Sequence, residues 1–99
     1  MSPSPYTVET ESGESYDGIS EDLLFDLIGE LSYPDNSFLT VEPQASENQW
    51  YVVVTLGSDK RLEVEYRNPA RREHRVVAGG TVSGIASDVT VWVSSVVRN

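Results

Sequence analysis

The feature that most limits the fold of this 99-residue chain is the spacing of its apolar residues, which changes from helical to alternating and back. The first segment, residues 20–32, carries apolar side chains at i, i+3, i+4 and i+7, which is one face of a helix: Leu24, Leu27, Ile28 and Leu31. Ser20 is suited to cap this helix, and the acids that follow it suit the positive end of the helix dipole. The sequence therefore predicts a helix that begins near residue 20 and ends before Tyr33-Pro34.

Four runs with strand-like composition follow this helix. They are Ser37–Glu42, Gln49–Leu56, Lys60–Arg67 and Glu73–Ala78. The second run is dense in aromatic and β-branched residues, and the third alternates between apolar and charged side chains. Because short polar connections favour antiparallel neighbours, the four runs predict a meander.

The last segment carries conflicting signals. Its Val, Thr and Trp residues favour a strand, but its apolar residues recur with a helical period: Ile85, Val89, Trp92, Val93, Val96 and Val97. Periodicity is the stronger signal, and it predicts a helix over residues 84–97, with Ser83 as its cap and Trp92 in the core. The chain is therefore predicted to be an α+β domain of order α-β-β-β-β-α, with a four-stranded, mainly antiparallel sheet and two helices on one face.

The N-terminal residues differ in composition from the rest. Residues 1–18 are rich in Ser, Pro, Gly, Thr and Glu and contain few large apolar groups. This composition predicts a flexible acidic tail ahead of a single α+β domain at residues 19–99. Alternation around Tyr6, Val8 and Thr10 is also typical of a short edge strand, so that second interpretation stays open.

Charge is distributed very unevenly along the chain. Residues 1–59 contain twelve acidic residues and neither Lys nor Arg, whereas residues 60–99 contain seven basic and four acidic residues, which together give the net charge of −9. Such segregation bears on partners rather than on fold. It argues against nucleic acid and anionic membranes as ligands, and it predicts a basic protein partner.

Several classes of function lack the residues that they need. The sequence has no Cys and one His, so it offers neither a disulfide framework nor a Cys/His metal site, and we expect no cofactor. No catalytic motif accompanies His74, which predicts that the protein is not an enzyme. The chain shows neither a signal peptide nor an apolar run of the roughly 18–20 residues that span a membrane, so we expect a cytoplasmic monomer or weak homodimer.

The acids of the first helix are the main candidate binding residues. Asp22, Asp26 and Glu30 lie at i, i+4 and i+8, opposite the apolar stripe, with no basic residue in the helix to neutralise them. One interpretation is an acidic docking strip for a basic partner, and the other is an ordinary solvated helix face. If the strip does not bind, the alternative site is the exposed side of the sheet around Tyr51 and Glu63.

Two further motifs have weaker functional interpretations. Basic residues cluster around one loop: Arg67, Arg71, Arg72, His74 and Arg75. Because a protein of net charge −9 repels phosphate backbones, internal pairing of the loop arginines with acids such as Glu63 and Glu65 is favoured over a nucleic-acid site. The segment Gly79–Gly84 joins a strand to a helix, as phosphate-binding loops do, but it lacks their Lys and their glycine spacing, which favours a plain connection.

Several short strings resemble small acidic immunity proteins that are found beside polymorphic toxins in actinobacteria. They are EDLLFDLIGEL, NSFLTVE, QWYVVVTL and LEVEYRN with its arginine-rich loop, followed by a terminal helix that bears a Trp. The resemblance covers about residues 19–97. It implies a non-enzymatic inhibitor of a co-encoded toxin, and it assigns no particular binding residues. The sequence also fits a small acidic adaptor or regulatory subunit and, more remotely, a mimic of nucleic-acid charge.

Overall fold

The computed structural model of this protein describes residues 6–18, 20–43 and 49–97. Its elements, in chain order, are β1 (Tyr6–Thr10), β2 (Ser15–Asp17), α1 (Glu21–Gly29), β3 (Phe38–Pro43), β4 (Tyr51–Leu56), β5 (Leu62–Asn68), a single 3-10 turn (Pro69–Arg71), β6 (Glu73–Ala78) and α2 (Val82–Val97). The class is α+β with two helices. The four strand-like runs of the sequence form β3 to β6, with bounds within one or two residues of those predicted.

The prediction of a four-stranded sheet is wrong, because the described residues form one six-stranded antiparallel sheet in the order β2-β1-β3-β4-β5-β6. The two additional strands, β1 and β2, form a hairpin. Strand β1 pairs with β3 over its whole length, from Tyr6 opposite Pro43 to Thr10 opposite Leu39. Residues 6–17 therefore belong to the sheet and not to a tail, while residues 1–5 of the predicted tail lie outside the described residues.

Composition conceals β1 and β2 because a strand with one buried face needs an apolar side chain only at every second position. Val8 is fully buried between Val41 of β3 and Tyr16 of β2. Thr10, the next residue on the same face, is also buried, and its Oγ1 accepts a hydrogen bond from the N–H of Glu14 at 3.1 Å. This segment has few apolar residues, but Tyr6, Val8 and Tyr16 all pack in or against the core, so it still contributes a packed strand.

The two helices begin at side-chain caps. The Oγ of Ser20 accepts a hydrogen bond from the N–H of Leu23 at 3.1 Å, so the predicted cap of α1 is confirmed. The second helix begins two residues before its predicted start, and its cap is Thr81 rather than Ser83. The Oγ1 of Thr81 accepts a hydrogen bond from the N–H of Gly84 at 3.1 Å. The hydroxyls of Ser20 and Thr81 thus each accept a hydrogen bond from a first-turn N–H that has no partner within its helix.

The core lies between one face of the sheet and the two helices. Two rows of directly opposed residues build this face: Val8, Val41, Val52 and Tyr66 in one row, and Thr10, Leu39, Val54 and Val64 in the next. They form a single buried cluster with the apolar residues of α1 and α2. Trp92 is buried as predicted, and its ring lies 6.0 Å from that of Trp50 and 5.3 Å from that of Tyr66. The opposite face of the sheet carries no helix of the described residues, and we call it the open face.

Candidate functional site

The order of the strands places the acidic and the basic parts of the sequence on opposite sides of the sheet. Strands β2, β1 and β3 occupy one side of the sheet, and residues 6–43, which form them and α1, contain ten acids and no Lys or Arg. Strands β5 and β6 occupy the other side, and residues 60–78 contain six Lys and Arg and three Glu. The molecule therefore has an acidic half and a weakly basic half.

The outer side of α1 carries the predicted acidic strip, which we call the acidic helix surface and define as Asp22, Asp26 and Glu30. All three side chains are exposed. No ion pair joins any of them to a basic side chain among the described residues. The arginines of the later segment therefore do not neutralise this surface within the part of the chain that the structure describes.

Exposed aromatic side chains adjoin the acidic helix surface. Phe25 lies three residues after Asp22 on the same outer side of α1 and is 47% exposed, and Tyr33 follows the helix with 59% of its surface exposed. Single exposed apolar side chains are common on protein surfaces, so the significance of these two rings lies in their position beside the carboxylates of α1 and not in their exposure alone. Sequence reasoning missed Phe25, although its position off the apolar stripe of α1 was available as a signal.

The other two predicted site residues, Tyr51 and Glu63, lie on the open face. This places them on the side of the sheet opposite the acidic helix surface, where the sequence analysis placed the alternative site. Tyr51 is half-buried on the face opposite to that of buried Trp50, as expected from strand alternation, and Glu63 is exposed between Thr55 and Ala78.

A small polar cluster occupies the open face beside Tyr51. The Oε2 of Glu65 lies 2.7 Å from the Nε2 of His74 and accepts a hydrogen bond from the Tyr51 hydroxyl at 3.4 Å. The pairing predicted for the loop arginines is not present among the described residues, where no arginine pairs with Glu63 or Glu65 and His74 is the residue that contacts Glu65. The cluster fixes the orientation of three side chains on a flat, solvent-facing surface.

Two arginines of the basic half contact residues of their own chain. The guanidinium of Arg75 lies 4.6 Å from the centre of the Tyr66 ring, and that of Arg71 donates a hydrogen bond to the carbonyl of Ser95 at 3.3 Å. Burial raises the pKa of the Tyr66 phenol, the Asp88 carboxylate raises it further, and Arg75 lowers it. These contacts give Arg71 and Arg75 structural roles within the fold.

A groove of about 810 Å³ separates β6 from α2 on the helix side of the sheet. Tyr66 and Val77 form part of its floor, and Asp88 and Val91 line its wall on α2. Val77 is 42% exposed and Val91 is 67% exposed, so the groove is open and partly apolar. The segment Gly79–Gly84 closes one end, where the cap of α2 already uses the Thr81 hydroxyl.

No protein family model, curated protein or solved structure matches this chain. Within the described residues, neither helix has the length and apolar content needed to cross a membrane. The same part of the chain contains no group of three or more His, Cys, Asp or Glu placed to hold a metal ion. Function must therefore be argued from the surfaces described above.

Proposed function

We propose that this protein is a non-enzymatic binding domain whose acidic half engages a basic protein partner. The observation that carries this proposal is the acidic helix surface, which is exposed, has no ion-pair partner among the described residues and adjoins the half-exposed ring of Phe25. Carboxylates without partners in their own chain attract a basic partner over long range, and an exposed aromatic ring supplies contact area at short range. The two features together suit a docking surface better than a purely solvated face.

Within this class, we propose that the partner is a toxin domain and that the protein is its immunity protein. The support for this narrower proposal is the resemblance of the strings in α1, β3, β4 and β5 to acidic immunity proteins. An acidic inhibitor suits a basic toxin because opposite charge speeds association, and inhibition of a toxin inside the producing cell must be fast. A neighbouring gene that encodes a large secreted protein with a basic C-terminal domain would favour this proposal over an adaptor subunit.

The acidic helix surface can be tested by affinity capture from the native host with three matched baits. The first is the wild type, the second carries D22K, D26K and E30K, and the third carries E9K, E42K and E63K on the open face. Each triple variant replaces three acids by three bases and so changes the net charge from −9 to −3. All six positions are exposed, so we expect both variants to fold.

We expect one basic protein to bind the wild type and the open-face variant and to be lost from the helix variant. Loss from both variants to the same degree would mean that net charge, and not α1, determines binding. Loss from the open-face variant alone would place the site around Glu63 and Tyr51.

A further inference from the structure

The two edges of the sheet differ in length and in protection. At the acidic edge, β2 spans three residues, Ser15–Asp17. At the other edge, β6 spans six residues, Glu73–Ala78, in continuous register with β5. Exposed edge strands are templates for pairing, and proteins usually protect them by shortness, Pro, bulges or outward charges. Shortness protects β2, whereas β6 is neither short nor interrupted by a Pro or a bulge among the described residues.

The hydrogen-bonding pattern shows which backbone groups of β6 face outward. The N–H of Gly79 donates to the carbonyl of Leu62 at 2.7 Å, and these two residues are directly opposed at the end of the β5–β6 ladder. Because inward and outward groups alternate along an edge strand, every second residue before Gly79 also faces β5. The N–H and C=O groups of His74, Val76 and Ala78 therefore face away from the sheet.

The charged side chains of β6 do not guard this edge, because they point back toward β5. His74 contacts Glu65 of β5 at 2.7 Å, and Arg75 lies over the Tyr66 ring of β5 at 4.6 Å. The middle of the strand is apolar and in water, with Val76 53% exposed and Val77 42% exposed. The edge thus offers three donor and three acceptor groups flanked by two valines.

We propose that β6 pairs with β6 of a second copy of this chain, antiparallel and across a two-fold axis at Val76, to form one continuous twelve-stranded sheet. In this register the outward-facing residues oppose each other in hydrogen-bonded pairs. Val76 opposes Val76 of the second copy, and His74 opposes Ala78 of the second copy. Arg75 then lies opposite Val77 of the second copy. The register places no two like charges directly opposite each other, and it buries both exposed valines.

The distribution of charge favours this arrangement over the other ways of joining two sheets. Strand β1 is four strands from β6, so β6-to-β6 pairing separates the two copies of β1 by nine strand spacings, or about 43 Å. That distance is several times the Debye length of about 8 Å at physiological ionic strength. Pairing of two β2 edges would instead bring the acidic halves together. Pairing of β2 with β6 would leave free edges and give an open filament rather than a dimer.

A disulfide test reads the register directly, because the native chain has no Cys. In the proposed dimer the two Val76 Cα atoms lie about 5.5 Å apart, within the range that a disulfide bridges. The two Ala78 Cα atoms lie more than about 13 Å apart, because they are offset by four residues along the strands. We expect mild oxidation to cross-link Val76→Cys into a dimer and to leave Ala78→Cys mostly monomeric. Equal cross-linking of both variants, or none of Val76→Cys, would overturn the proposal.

Sedimentation equilibrium of the wild type and of Val76→Pro tests the same pairing without a cross-link. The N–H of Val76 faces outward, so Pro removes a donor to the second copy and none to β5. We expect the wild type to form dimers as its concentration rises, and Val76→Pro to remain monomeric with an unchanged circular dichroism spectrum. Val76→Lys serves the same purpose if Val76→Pro does not fold, because it places two cations at the two-fold axis. A wild type that is monomeric up to about 1 mM, dimeric variants, or species that grow beyond the dimer would contradict the proposal.

This inference does not depend on the proposed function. The acidic helix surface remains exposed at both far ends of the paired sheet, and a variant that abolishes pairing keeps that surface intact. Loss of dimerisation and loss of partner binding can therefore be observed separately.

Discussion

The acidic half and the basic half of the sheet differ in what their charged side chains contact. In the basic half, His74, Arg71 and Arg75 each contact a residue of their own chain. In the acidic half, the carboxylates of Asp22, Asp26 and Glu30 are exposed, and no basic side chain of the described residues pairs with them. Charges that already have internal partners stabilise the fold, whereas charges without them are available to another molecule. Lys60, Arg61, Arg67 and Arg72 of the basic half are also exposed, but they lie among acids, whereas residues 6–43 contain no Lys or Arg. This contrast supports the proposal that the acidic half engages a basic partner.

The two halves also differ in how they are packed. On the basic side, the rings of Trp50, Tyr66 and Trp92 fill the space between the sheet and α2. On the acidic side, the buried residues of the sheet carry no aromatic ring: Val8, Leu39 and Val41 have no exposed surface, and Thr10 is also buried. Removal of a side chain should therefore cost more free energy on the basic side.

The largest expected effect is that of Trp92→Ala. The substitution removes a ring with two aromatic neighbours and a hydrogen bond from Nε1–H to Glu73 at 3.1 Å. We expect the free energy of unfolding to fall by about 3–5 kcal/mol, as measured by urea denaturation. Trp92→Phe is the matched control, because it keeps a ring in place and should cost clearly less. Equal losses for the two variants would mean that the hydrogen bond and not the ring is important.

A smaller loss is expected from Val8→Ala. Val8 is fully buried in β1, and the substitution removes two methyl groups, so we expect a loss of about 2 kcal/mol from the lost transfer free energy and the cavity that is left. Glu9→Ala, one residue later on the exposed side of the same strand, should change stability by less than about 0.5 kcal/mol. If residues 6–18 formed a flexible tail, as their composition suggested, both substitutions would be neutral.

The smallest expected effect concerns Glu11, which connects the β1–β2 hairpin to the start of β3. The backbone N–H of Ser37 donates to the Glu11 carboxylate at 2.7 Å and the Ser37 hydroxyl donates at 2.8 Å, and these two bonds lower the pKa of Glu11. Because the pKa is lower in the folded state, the ionised group adds stability above its unfolded pKa and loses it as the pH falls through its folded pKa.

We therefore expect Glu11→Gln to be less stable than the wild type at pH 7, and the difference to disappear in acid. Urea denaturation of both proteins at pH 7 and pH 3 measures the difference. A difference that is unchanged at low pH would show that the charge of Glu11 does not contribute.

The sequence predicted those parts of the fold that depend on local periodicity. Both helices and strands β3 to β6 are marked by apolar residues that recur within a few positions, and this signal needs no knowledge of the partner strand. Strand β2 was missed, and β1 was predicted only as an alternative to a flexible tail, because apolar residues as few as Val8 and Tyr16 form strands only through pairing with each other and with the distant β3. The amino-acid composition of a segment does not record which residues of other strands it pairs with, so it cannot reveal strands of this kind.

The same distinction between local and distant signals applies to the candidate surfaces. Exposure of Asp22, Asp26 and Glu30 follows from helix geometry, and the position of Tyr51 on the open face follows from alternation with Trp50. The separation of these two surfaces was predicted, because two helices on one face of a sheet leave its other face uncovered. The strand order, which collects the acids on one side of the sheet and leaves β6 at the opposite edge, depends on long-range pairing and was not available from the sequence.

The most direct test of the proposed docking surface is the association rate with the captured partner, measured by stopped flow as a function of ionic strength. If the acidic helix surface steers a basic partner, the D22K/D26K/E30K variant should associate at least about tenfold more slowly than the wild type at low salt. Its rate should approach that of the wild type at high salt, where the Debye length falls to about 3 Å. The E9K/E42K/E63K variant, with the same net charge, should be slowed much less. Equal rates for the wild type and the helix variant at low salt would contradict the assignment of α1 as the docking surface.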